Sequence, residues 1–147
     1  MTQQGGLLVV GGLLSAAAAL LHMACVFGGA PWYRFLGAGE RMALAAERGQ
    51  WQPTLVTIGI AAVLSIWSAY AFSGAGMIVK LPLLRTGLVV ISAIYLLRGL
   101  LVLRPSLMHR PDLSGEFLRW SSLIVLVFGV IHAVGTWRVW NTLEGDS

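Results

Sequence analysis

The sequence predicts an all-α integral membrane bundle of four transmembrane helices, with a short interfacial helix between the first span and the second. Three observations carry that prediction. Hydrophobic residues fill 57% of the 147 positions and charged residues only 11%, with a mean hydropathy of +0.80. A soluble domain holds about 25% charged residues, because it must solvate its own surface. The apolar residues gather into four stretches, about 7–27, 53–72, 83–103 and 117–140, each close to the ~20 residues a helix needs to cross the hydrocarbon of a bilayer. Between them lie segments rich in Gly, Pro and charge, short enough to set neighbouring helices antiparallel. The chain is read as a single transmembrane domain.

Span one, 7–27, carries Gly11, Ser15 and Ala19 four residues apart, and Gly12 and Ala16 likewise. Small residues at that spacing form a flat stripe that lets another helix approach closely. Packing within the bundle accounts for such a stripe, and a homo-oligomer seam is the alternative. Gly28-Gly-Ala-Pro31 ends the span, and Trp32 and Tyr33 follow where aromatic residues favour the head-group region. Arg34–Gly49 pairs an apolar side (Phe35, Met42 and alanines) with Glu40/Glu47 and Arg41/Arg48, each repeating at seven. Such a segment is too polar to span and suits a helix lying in the interface.

Span two, 53–72, opens on Pro53, a residue suited to a first helical turn, and Ser73-Gly-Ala-Gly76 breaks it. Span three, 83–103, begins after Pro82 and contains Arg85, Ser92, Tyr95 and Arg98. An arginine inside an apolar run needs a polar partner or a route to the head groups. The loop around Pro105 and Pro111 reads as irregular and exposed. Span four, 117–140, carries Trp120, Gly129 and His132, and ends in an aromatic anchor at Trp137 and Trp140.

The formal charge of +4 and pI near 10.0 reflect basic residues beside spans rather than a nucleic-acid surface. Arg34, Arg41, Arg48, Arg104, Arg110 and Arg119 lie toward one membrane face, and Lys80, Arg85 and Arg138 toward the other. By the positive-inside rule, loops 28–52 and 104–116 face the cytoplasm of a bacterial-type inner membrane. A lone cysteine, Cys25, excludes an intrachain disulfide.

Antiparallel packing brings His22, Tyr95, Arg98 and Trp120 toward the face that bears Glu40. These five are the expected ligand-binding residues: Arg98 contacts an anionic or carbonyl group, and Glu40 and Tyr95 orient it. The expected role is binding a lipid or small lipophilic ligand between helices, or serving as an accessory membrane subunit. The competing expectation is a membrane-embedded enzyme acting on a lipid, with Glu40 and His22 as acid–base groups. No cofactor or metal site is expected. His22 and His132 stand too far apart in depth to share one iron, and His22 with Cys25 supplies only two ligands for a soft metal. Hydrolase elbows, zinc-protease motifs and phosphate loops are missing from the sequence. So is a mid-span carboxylate of the kind that proton-coupled transporters use.

Overall fold

The computed structural model describes residues 5–101, 104 and 115–143, and all of its regular structure is helical. Helices α1 (Gly6–Gly28), α2 (Ala30–Phe35) and α3 (Glu40–Glu47) are followed by α4 (Gln52–Gly74), α5 (Leu84–Leu100) and α6 (Gly115–Val139). A 3₁₀ turn, Trp140–Leu143, extends α6. Three of these are long and apolar enough to cross a membrane: α1, α4 and α6 with its extension. At 17 residues, α5 is shorter, about 25 Å at ~1.5 Å per residue.

Local chemistry sets the boundaries. Gly29, at φ 66°, stops α1 and returns its N–H to the Cys25 carbonyl. Pro31 and Pro53 sit in the first turns of α2 and α4, where a missing N–H costs nothing. After α4, the Ser73 hydroxyl accepts from the Leu81 N–H at 3.0 Å and donates to the Val79 carbonyl at 2.9 Å, pinning the return to α5.

The four long helices are arranged around the bundle in the order α1, α4, α5, α6, each antiparallel to its neighbours. The cross-helix pairs give the register. Ser68 of α4 donates to the Gly12 carbonyl of α1 at 2.8 Å, and Gly11 lies against the His132 ring of α6. Trp67 meets Tyr95 of α5 edge-on at 4.8 Å. Glycine sets the tightest seam. A Cβ on Gly99 would fall 2.5 Å from the backbone of Leu126, and one on Gly129 would fall 2.8 Å from the backbone of Leu96. The backbones of α5 and α6 therefore touch, as small-residue crossings in membranes allow. The stripe on α1 is buried in the same way, Gly11 and Gly12 under His132 and Phe72, and Ser15 bonded to Tyr95.

Polarity is arranged inside out. Ser15, Ser68, Ser92, Ser122, His132 and Thr136 are buried, whereas Leu13, Leu20, Leu55, Ile66, Leu97 and Val127 are exposed. In water this outer surface would be a very large apolar patch. In a bilayer it is the ordinary lipid-facing surface, while Ser15, Ser68 and Ser122 find carbonyl or side-chain partners on neighbouring helices and Ser92 bonds its own helix.

Two expectations change. The segment expected at the interface is two short helices rather than one. Gly37 and Gly39, at φ 72° and 96°, break it, and α3 alone matches the charged repeat. Tyr33 is not a head-group anchor: it is 2% exposed and its hydroxyl pairs with that of Thr57 of α4 at 3.3 Å. Trp32 remains exposed. The expected Pro-rich loop with His109, the last residues of the third stretch and the final polar residues lie outside the described residues.

Candidate functional site

At the end of the bundle that carries α2 and α3, the helices part. Helix α4 meets α5 through Leu64, Trp67, Tyr70 and Gly74. Toward its N-terminus, Val56, Thr57 and Ile60 instead line a cleft of about 710 Å³. Its floor is α1 at Ala18, Leu21, His22 and Cys25, and its far wall is α6 from Phe117 to Val125. The roof is the α2–α3 turn, Phe35 to Ala38, with Met42. The volume lies within the ~300–1,000 Å³ of small-molecule sites.

The roof is held by two devices. Gly37 packs so closely under Phe117 of α6 that a Cβ there would enter the ring, and its φ of 72° already favours glycine. Arg34 of α2 ties α3 down: its guanidinium reaches Glu40 at 2.7 Å and Glu47 at 2.6 Å. Those bonds hold the Glu40 carboxyl below its usual range and raise the Arg34 guanidinium further. All three side chains are well exposed, so the clamp fixes geometry more than it adds stability.

The polar groups lining the cleft are largely bonded to the backbone of their own helices. Thr57 donates to its own helix at Pro53 O, 2.7 Å, and its hydroxyl also lies 3.3 Å from the Tyr33 hydroxyl. Ser121 donates to Leu118 O at 3.1 Å. His22 Nδ1 lies 2.8 Å from Ala18 O. A carbonyl only accepts, so Nδ1 carries a proton. The result is an apolar, aromatic-edged cleft with His22 on its floor.

Of the five expected ligand-binding residues, His22 and Trp120 line this cleft. The other three lie elsewhere and form no cluster. Glu40 is bound to Arg34 on the exposed side of the roof. Tyr95 sits in the bundle interior, hydrogen-bonded to Ser15 at 2.9 Å and beside His132, ring centroids 5.1 Å apart. Arg98 is exposed at the end of α5 and donates to Ser122 Oγ at 2.8 Å. The acid–base pair Glu40 and His22 therefore does not converge on one point. The residues that the sequence did not single out are Leu21, Val56, Thr57, Ile60, Phe117 and Ile124. In one dimension they are indistinguishable from residues that face bulk lipid.

The histidines of α1 and α6 are also far apart. His132 packs on Gly11, and α1 climbs about 16 Å from Gly11 to His22. His132 Nδ1 donates to Phe128 O at 2.9 Å. Its Nε2 and Thr136 Oγ1, one turn on, are buried without a partner among the described residues. No group of three or more His, Cys, Asp or Glu side chains comes together among the described residues.

Comparison with known proteins adds no functional information: no protein-family model matches the chain, and neither a curated protein nor a solved structure gives a significant match.

Proposed function

We propose that this is a four-span protein of a bacterial-type inner membrane that holds a lipid or small lipophilic molecule in the cleft between α1, α4 and α6. The observation that supports the reading is the cleft itself. It has mostly apolar and aromatic walls, its hydroxyls are already bonded to the protein, and it lies at the end of the bundle where interfacial helices form a roof. Lipid tails are as apolar as these walls, so a hydrocarbon guest would be held by close packing rather than by transfer from water, and the walls offer little to a polar substrate. The separation of Glu40 from His22 favours binding over acid–base catalysis.

In this reading α5 is the fourth span, somewhat short, with Arg98 near one head-group region and Arg85 near the other. Arg85 stacks over Trp140 at 4.0 Å, a pairing suited to a membrane interface. The excess of arginine beside α2, α3 and the start of α6 favours that end, and the cleft mouth, on the cytoplasmic side.

Mass spectrometry of the detergent-purified protein tests the binding reading. Wild type is expected to retain a lipid through purification. Ile60→Trp, which fills the cleft from α4 without touching the α5–α6 seam, is expected to lose it while keeping its helical circular dichroism. Equal retention by both proteins would remove the cleft as the site.

A further inference from the structure

The ligand chemistry is narrowed by a second depression on the other side of the roof. About 470 Å³ in volume, it is lined by Arg41, Leu44 and Ala45 of α3, by Arg48 at its C-terminal end and Gln50 beyond it, and by Gln52 and Pro53 at the start of α4. It shares Ala38 and Met42 with the apolar cleft. On α4 its wall at Pro53 lies one turn from Val56 and Thr57 of the cleft. A basic, amide-lined hollow and an apolar one thus adjoin at two shared lining residues.

The charge pattern explains why the hollow is basic. The sequence of α2 and α3 is nearly balanced, with Arg34, Arg41 and Arg48 against Glu40 and Glu47. Both carboxylates, however, are bonded to Arg34. Arg41 and Arg48 therefore have no ion-pair partner among the described residues. Seven residues apart, they share one face of α3 and both line the hollow. Two guanidinium groups beside two primary amides make a donor-rich set that suits a phosphate monoester or diester.

We propose that the occupant is an anionic phospholipid, its phosphate held by Arg41 and Arg48 with Gln50 and Gln52, and an acyl chain passing Ala38 and Met42 into the cleft. This rests on the lipid-binding reading above and adds the head-group class. It also explains what the Arg34 clamp contributes. By occupying Glu40 and Glu47, Arg34 keeps the neighbouring arginines available for phosphate.

The test compares dioleoyl phosphatidic acid with dioleoylglycerol, which has the same chains without the phosphate. Each is presented in mixed micelles to wild type, to the Arg41→Gln/Arg48→Gln double variant and to Ile60→Trp, and bound lipid is counted by native mass spectrometry. Wild type is expected to favour phosphatidic acid roughly 10–30-fold, as two interfacial arginines allow. The double variant is expected to bind both lipids alike, and Ile60→Trp to lose both. In wild type the preference is expected to shrink as salt rises, a readout that needs no variant. Equal binding of the two lipids by wild type, with Ile60→Trp still losing both, would overturn the head-group assignment and leave the cleft reading intact. Failure of wild type to bind either lipid would overturn both. Loss of the preference on adding millimolar inorganic phosphate at constant ionic strength would assign the arginines to a free anion instead, and overturn the lipid proposal.

Discussion

Alanine at Gly99 probes the seam on which the bundle's shape depends. The new Cβ would sit 2.5 Å from Leu126 Cα and 2.6 Å from its N. These are backbone atoms, so no rotamer change relieves the contact, and α5 must move from α6 by about an ångström to reach ordinary van der Waals distance. Overpacking of that kind costs ~1–3 kcal/mol, a fall in Tm of roughly 3–10 °C for a chain of this size. Gly129→Ala meets the Leu96 backbone at 2.8 Å on the same seam and belongs in the same range. Once one substitution has parted the helices the second meets less resistance, so the double variant should lose less than the sum of the singles. Gly59→Ala is the control, since nothing lies within 4 Å of its Cβ, and its Tm should hold or rise. Thermal unfolding in a mild detergent, followed by circular dichroism, reads all four proteins. A Tm for Gly99→Ala equal to that of Gly59→Ala would refute the close crossing of α5 and α6.

Three further outcomes follow from the same geometry. Ser15→Ala and Tyr95→Phe each break the buried 2.9 Å bond between α1 and α5. A double-mutant cycle on unfolding free energy should return a coupling near 0.6 kcal/mol, and a coupling of zero would mean the hydroxyls do not meet. At the roof, the Glu40 carboxyl is held below its usual range by Arg34. Its pairing is therefore complete above the ordinary carboxylate range and is lost as pH falls through the lowered value. Amide exchange across α3, corrected for intrinsic rates, should lose protection over that acidic interval in wild type. In Arg34→Gln it should already be weak at neutral pH; unchanged exchange in that variant would show that the clamp does not hold the roof. Finally, Arg98→Leu should leave lipid retention unchanged, because Arg98 bonds Ser122 and does not line the cleft. Loss of lipid would return Arg98 to the site.

The helices were legible because burial in hydrocarbon leaves a plain record in one dimension, long apolar runs closed by Gly and Pro. The stretch 7–27 is α1 and 53–72 is α4 within two residues at each end. The third stretch was harder to read: among the described residues only 17, Leu84–Leu100, are in regular helix, with Arg85 and Arg98 inside its two ends. The small-residue stripe on α1 foretold close packing and was silent on which neighbour would use it. The site was read less well. Helix direction correctly carried His22 and Trp120 to one end of the bundle, but charge attraction suggested that Glu40 would join Arg98. Arg34 lies only six residues before Glu40 and reaches it first, as a local partner generally does against a distant one. Tyr95 was drawn inward by Ser15, 80 positions away, a pairing that no spacing in the sequence announces. The cleft walls were illegible for a simpler reason: Ile60 or Ile124 lining the cleft has the same chemistry as Leu97 on the outer surface.

That last ambiguity is what a photoreactive lipid resolves. A phospholipid carrying a diazirine in its acyl chain, added at less than one equivalent per protein and irradiated, labels whatever the chain touches when bound. Peptide mapping should place the adducts on Leu21, Met42, Ile60 and Ile124. Adducts confined to outward residues such as Leu13, Val90 and Leu97 would contradict a lipid-holding cleft.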